Sequence, residues 1–218
     1  MPVVTPTLAL IVFGAGAVAG SLGALLGIGG GVFLVPFLNL ALDFPFTTAA
    51  AVSLTTVIAT SSTVSATRTG TQLINLRFAM ALEVATVGGG LLGGVTAQLL
   101  AQSTLQELFG LVAALVAIVM ASRFGRRNVI LDRSADPGVL GGRFHDAESG
   151  GVVTYQVKRL PVALFASFLA GNVSSLLGLG GGVIKVPALN AWCGVPLRAA
   201  AATSAFMIGV TATGGAVI

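Results

Sequence analysis

The chain reads as an all-α polytopic membrane protein built from two related helical halves. Three observations predict this: 55% hydrophobic against 8% charged residues, several apolar runs of bilayer-crossing length, and a self-match between the halves. A soluble domain covers itself with roughly 25% charged residues. A mean hydropathy of +0.99 describes a lipid-facing surface instead.

Apolar runs fall at about residues 7–27, 32–42, 48–64, 78–100, 107–122, 161–177, 183–193 and 199–218. A helix rises about 1.5 Å per residue and the hydrocarbon layer is about 30 Å thick, so runs of roughly 17 to 23 residues can cross it. The runs 32–42 and 183–193 would each cover only about 16 Å, which makes them half-helices or arms of re-entrant hairpins. Residues 1–8 contain no Lys or Arg. The basic flank of a cleavable signal is therefore missing, and the first run is expected to stay as a membrane segment.

Charge sets the expected orientation. Of the 11 Lys and Arg, seven (Arg123, Arg126, Arg127, Arg133, Arg143, Lys158 and Arg159) lie in one connector. By the positive-inside rule this connector is cytoplasmic, and so is the loop carrying Arg68 and Arg77. Two runs, 78–100 and 107–122, separate the loops, so the assignments agree. They put the N-terminus outside an inner membrane. The expected division is residues 1–122 as a first membrane repeat, 123–160 as the cytoplasmic connector and 161–218 as a second repeat. A pI near 10.2 does not indicate nucleic acid, because the basic residues punctuate apolar runs rather than cover a polar face. Lipid is the expected surrounding, and a homo-oligomer is compatible with it.

Within the connector, turn formers (Asp136-Pro137-Gly138, Gly141-Gly142, Ser149-Gly150-Gly151) bracket an alternation of Val153, Tyr155 and Val157 with Thr154, Gln156 and Lys158. This predicts a small exposed β-hairpin. His145, Asp146 and Glu148 sit on it, but a lone His among loop carboxylates falls short of a closed metal site and reads as solvated. The single cysteine, Cys193, excludes an internal disulfide framework. With Trp192 it reads as interfacial packing.

The internal repeat is the most informative feature. Gly20 to Asn39 reads GSLGALLGIGGGVFLVPFLN and Gly171 to Asn190 reads GNVSSLLGLGGGVIKVPALN, with 12 of 20 positions identical at an offset of 151. The register continues through Pro45 and Pro196, Ser53 and Ser204, and Thr60 and Thr211, which indicates duplication. The loop after the first copy carries an acid, Asp43, and that after the second a base, Arg198. Opposite sidedness follows, the pattern of inverted-topology repeats, if each broken pair returns to the side where it began. One broken crossing over 7–42 would instead give parallel repeats. Equal repeat lengths predict on the order of 50 further residues after Ile218.

The triplets Gly29-Gly30-Gly31 and Gly180-Gly181-Gly182, preceded by Gly27 and Gly178, stand between an apolar helix and a short one, where the backbone must break inside the membrane. Free N–H groups leading into a helix N-terminus favour an anion without placing a full charge in the bilayer. Pro36 and Pro187 near the start of each half-helix lose little by lacking an N–H. Asn39, Asn190, Ser53, Ser204, Thr55 and Thr203 are neutral groups that either orient oxyanion oxygens or bond helix to helix. Lys185 replaces Leu34 of the first copy. It either neutralises an anion or, the favoured reading, snorkels to the interface. Glu83 is expected at the interface, solvated or paired with Arg77. Gly20, Gly23 and the Gly88-Gly89-Gly90 and Gly93-Gly94 clusters read as helix packing. No nucleotide loop is present, and no cofactor is expected.

On the two copies of LLGxGGGxxxVPxLN and the basic connector, the chain resembles the sulfite exporter TauE/SafE family, also called the toluene-sulfonate uptake permease family. The resemblance implies an inner-membrane transporter of sulfite, organosulfonates or related small anions, with the glycine-proline motifs near the substrate path. An anion channel or a scaffolding subunit of a membrane complex is the alternative. An intramembrane enzyme is disfavoured, because HExxH and GxGD are absent and the one histidine lies in a loop.

Overall fold

Thr5 starts the first helix, its hydroxyl accepting the Leu8 N–H at 3.2 Å, and Pro6 takes the position where a missing N–H matters least. In this computed structural model, residues 5–68, 72–123, 136–146 and 151–216 are described. Helix α1 (Pro6–Leu26) ends at Gly27, and after a break α2 (Gly31–Pro36) runs into one π-type turn, Phe37–Ala41. Pro36 withholds an N–H from the ladder, and the wider turn follows it directly. Next come α3 (Phe46–Arg68), α4 (Leu76–Leu99) and α5 (Gln102–Arg123). Strands β1 (Gly142–Asp146) and β2 (Gly151–Tyr155) precede α6 (Leu160–Leu177), α7 (Gly182–Cys193) and α8 (Leu197–Ala216). The helices match the apolar runs within a few residues at each end. Five of them, α1, α3, α4, α5 and α6, are long and apolar enough to cross a membrane. Arg126, Arg127 and Arg133 of the basic connector, and Glu148, lie outside the described residues.

Contacts sort the loops into two ends. At one end Asn75 ties the α3–α4 loop to the connector: its amide donates to the carbonyls of Leu140 at 2.8 Å and Gly141 at 3.2 Å and to the Tyr155 hydroxyl at 3.2 Å. The α7–α8 turn joins the same end, where the Lys158 N–H donates to the Cys193 carbonyl at 2.9 Å. At the other end of α3, the Phe46 ring meets Phe109 edge-on at 5.9 Å and Gln106 donates to Asn39 at 3.0 Å. The turn after the first half-helix and the turn after the second therefore sit at opposite ends of α3.

The hairpin is present but not exposed. Register pairs Phe144 with Val153 and Gly142 with Tyr155, and the side chains of Phe144, Val153 and Tyr155 are buried with Phe78, Ala79, Leu82, Leu189 and Ala199. Its apolar alternation ends at Tyr155, so Val157 falls outside the strand. The alternation announces one apolar face; the ends of α4, α7 and α8 supply the cover. Burial pushes the Tyr155 phenol above its usual range, opposed by the bond from Asn75.

Glycines bring α4 and α6 into backbone contact. A Cβ on Gly89 would overlap the Phe168 carbonyl, one on Gly93 that of Asn172, and one on Gly171 that of Thr86. This is small-residue packing of the kind that membrane helices use in place of a hydrophobic driving force. The positions 151 earlier than the α6 and α8 contacts, Ala17, Gly20, Ser21, Ala24 and Thr60, line an open apolar groove of about 800 Å³ between α1 and α3.

Asn75 also accepts the Phe78 N–H at 3.1 Å as the α4 cap, and its own N–H donates to Thr203. Losing a cap costs about 1 kcal/mol and each buried partner left unmade about 1–3 kcal/mol. Asn75→Ala should therefore destabilise the protein by about 2–4 kcal/mol. Asn75→Asp, which keeps the cap and loses the donors, should fall between; thermal unfolding in detergent ranks the three.

Candidate functional site

The two glycine segments meet. Gly27 and Gly178 end α1 and α6 in left-handed conformation, at φ +72 and +70, each donating its N–H back to the preceding helix, to Gly23 and Ser174. A side chain at either position would be strained by the backbone alone. It would also collide: a Cβ on Gly27 would lie 2.6 Å from the Ala201 Cα, and one on Gly178 would lie 2.6 Å from the Ala50 Cα.

The contacts of the first and last glycines of each segment are reciprocal. Ala50 and Ala201 are repeat equivalents, so each break packs on the other half's long helix at the same position. A Cβ on Gly31 would overlap the Gly178 carbonyl, and one on Gly182 the Gly27 carbonyl. Gly29 and Gly180 both face the equivalent pair Val57 and Ile208, at 3.2 and 3.5 Å from Gly29 and 3.0 and 3.4 Å from Gly180. Gly27 to Gly31 and Gly178 to Gly182 are all buried. Ser53 adds a polar link, its hydroxyl donating to the Gly178 carbonyl at 2.8 Å. Its equivalent Ser204 is fully buried, and its hydroxyl has no hydrogen-bond partner.

Main-chain donors gather at this crossing. The N–H groups of Gly30, Gly31 and Val32, and of Val183 and Ile184, have no main-chain acceptor among the described residues. They are the orphan donors that every helix start exposes. Their sum is a positive potential in a low-dielectric layer, suited to an anion.

Other expected site residues are elsewhere. Asn39 and Asn190 brace the outer turns, their amides donating to the carbonyls of Phe44 at 2.8 Å and Val195 at 3.0 Å, five residues on in each copy. Pro36 and Pro187 are part-buried within the half-helices, beyond the breaks. Thr203 accepts from Asn75, and Thr55 donates to the Ala51 carbonyl of its own helix. Cys193 is buried and Trp192 half-exposed.

Lys185 overturns the snorkelling expectation. It is 0% exposed and lies 4.0 Å from Glu83 of α4, turned into the protein rather than outward. Glu83 in turn is not paired with Arg77: one carboxylate oxygen takes the Thr211 hydroxyl at 2.8 Å and the other faces Lys185. Neither the Lys185 ammonium nor the second Glu83 oxygen has a hydrogen bond. Glu83 and Thr211 were missed as site residues. The available signal was that each of these two runs carries one internal charge, of opposite sign, and charges inside a membrane find each other.

Gly178→Ala should cost more than about 2 kcal/mol, from the left-handed backbone together with the overlap on Ala50. Gly88→Ala, whose Cβ would meet nothing within 4 Å, should be neutral or stabilise by up to about 1 kcal/mol. Unfolding temperatures of the two purified variants test the contrast.

Comparison with known proteins gives the chain relatives. The sequence profile described as "Sulfite exporter TauE/SafE" matches residues 12–218. The chain is 25% identical over 209 residues to the "Probable membrane transporter protein YunE" of Bacillus subtilis (strain 168), covering 93% of this chain and 74% of that relative. No solved structure matches it.

Proposed function

Because the chain belongs to the sulfite exporter TauE/SafE family and is a multi-pass membrane transporter, we propose that it carries a small sulfur-containing oxyanion, such as sulfite or an organosulfonate. The proposed path runs through the crossing of the two glycine breaks, in the inner membrane with the connector on the cytoplasmic side. The observation that carries the reading is the reciprocal contact of Gly31 with the Gly178 carbonyl and Gly182 with the Gly27 carbonyl. It brings two sets of orphan N–H donors together in the protein interior, where a monoanion needs no full counter-charge to be held.

In this reading the two halves are related by a two-fold axis in the membrane plane. Support comes from the exchange of equivalent partners by Gly27 with Gly178 and by Gly31 with Gly182, and from the outer turns standing at opposite ends of α3. Inverted halves of this kind let one site open alternately to either side by rocking one half against the other. Gly27 and Gly178 serve as the points where each half-helix can pivot. The roles proposed for Gly29, Gly30, Gly31, Gly180, Gly181 and Gly182 are to keep Cβ atoms out of the crossing and to present amides. Ser53 and Ser204 border it, and Lys185 stands one turn beyond.

The test is reconstitution in liposomes and measurement of labelled sulfite and short sulfonate flux. Saturable flux that chloride does not compete away is the expected outcome. Flux rising linearly with concentration would assign a channel, and absence of flux for every anion tried would leave the scaffolding role. Ser204→Ala, which removes the buried hydroxyl left without a partner among the described residues, should raise the half-saturating concentration several-fold, about what one hydrogen bond of roughly 1 kcal/mol contributes.

A further inference from the structure

We propose that Glu83 and Lys185 form the coupling site of the transporter, at which binding of the anion loads a proton onto Glu83, so that anion and proton move together. This rests on the anion-transport reading and adds the identity of the coupling ion.

The geometry has the required parts. Lys185 lies three residues past Gly182, about 4.5 Å of helix rise from the crossing, so its ammonium is within reach of a solute held there. It is fully buried, and the charge nearest to it is Glu83 at 4.0 Å. That separation is too long for a hydrogen bond. The pair is thus balanced in charge while a donor on one side and an acceptor on the other stay unused. Thr211 holds only one carboxylate oxygen of Glu83, which leaves the second free to take a proton.

The surroundings isolate the pair. Helix α4 packs on α6 and α8, and α7 on α5, α6 and α8. Helix α6 has no titratable side chain; α8 has Arg198 in its first turn; α7 has, besides Lys185, Cys193 at its last residue; α5 has Glu107 and Arg123 near its ends; and α4 has Arg77 at its start. Among the described residues of these helices no third charge stands beside the pair. A buried ion cannot remain without its counter-charge in this medium.

The step follows. An anion that enters the crossing takes the Lys185 ammonium as its partner. Glu83 is then an unpaired carboxylate in low dielectric, and it accepts one proton from water on the open side, forming an O–H bond at its second oxygen. Net charge of the site is zero before and zero after loading, so the loaded form can reorient across the membrane potential. On release of the anion, Lys185 returns to Glu83, whose proton leaves to water on the other side. The first half cannot duplicate this, because Leu34 occupies the position equivalent to Lys185.

Two measurements test it on the purified protein. In liposomes, monoanion uptake by the wild type should be driven by a pH gradient, carry one proton per anion and ignore an imposed potential. Lys185→Met should lose anion flux. If the wild type carries the anion without protons, the coupling inference is overturned while transport stands. If the wild type carries no anion at all, the transport reading itself fails. Calorimetry of binding of a short alkylsulfonate, whose charge is fixed near neutral pH, in buffers of different ionisation enthalpy avoids variants that fold poorly: uptake of about one proton per anion supports the proposal, and uptake of none overturns it.

Discussion

Two main-chain carbonyls, those of Gly27 and Gly178, each lie where a side chain on the other half's glycine would have to go. Everything else in the fold serves this close approach. It requires that α1 and α6 stop at the crossing, that the chain turn left-handed there, and that the half-helices start again at once. Glycine alone meets the first two demands, since any Cβ would be both strained and sterically excluded. A protein that buries unpaired backbone within a membrane must surround it with more protein, and the long helices α3 and α8 do so through Ala50, Ala201, Val57 and Ile208.

The reciprocity has an energetic meaning as well as a geometric one. Each half supplies the surface on which the other half's break is built, so neither break is stable by itself. The halves are joined closely: α4 meets α6 backbone to backbone, Ser53 donates from a long helix to the opposite break, and Thr203 and Thr211 bond across to Asn75 and Glu83. The asymmetries fall where chemistry would need them: Ser204 lacks the bond that Ser53 makes, and Lys185 replaces Leu34. The duplication built a scaffold, and single substitutions made one half electrically distinct from the other.

Much of the fold was legible because membrane insertion imposes length and composition rules that do not depend on partners. The helix bounds, the broken half-helices and the hairpin strands follow from apolar run length, glycine-proline punctuation and period-two alternation. Packing faces were harder. The hairpin looks solvent-exposed in sequence because its length is small and its flanks are polar, yet Phe144, Val153 and Tyr155 are covered by the ends of α4, α7 and α8, more than 30 residues away in either direction. Asn39 and Asn190 look like ligand groups because they recur in both copies; they recur because both copies need the same turn braced.

By itself the sequence determined the class, the duplication, the sites of the two breaks and the family, since each is a property of local composition or of similarity along the chain. Only the tertiary structure decided which charges meet. Lys185 and Glu83 are separated by 102 positions, and nothing local distinguishes a lysine that reaches for the interface from one turned inward. The choice depends on what α4 presents to α7. A buried charge is held by its nearest opposite charge, and that distance exists only once the helices are packed.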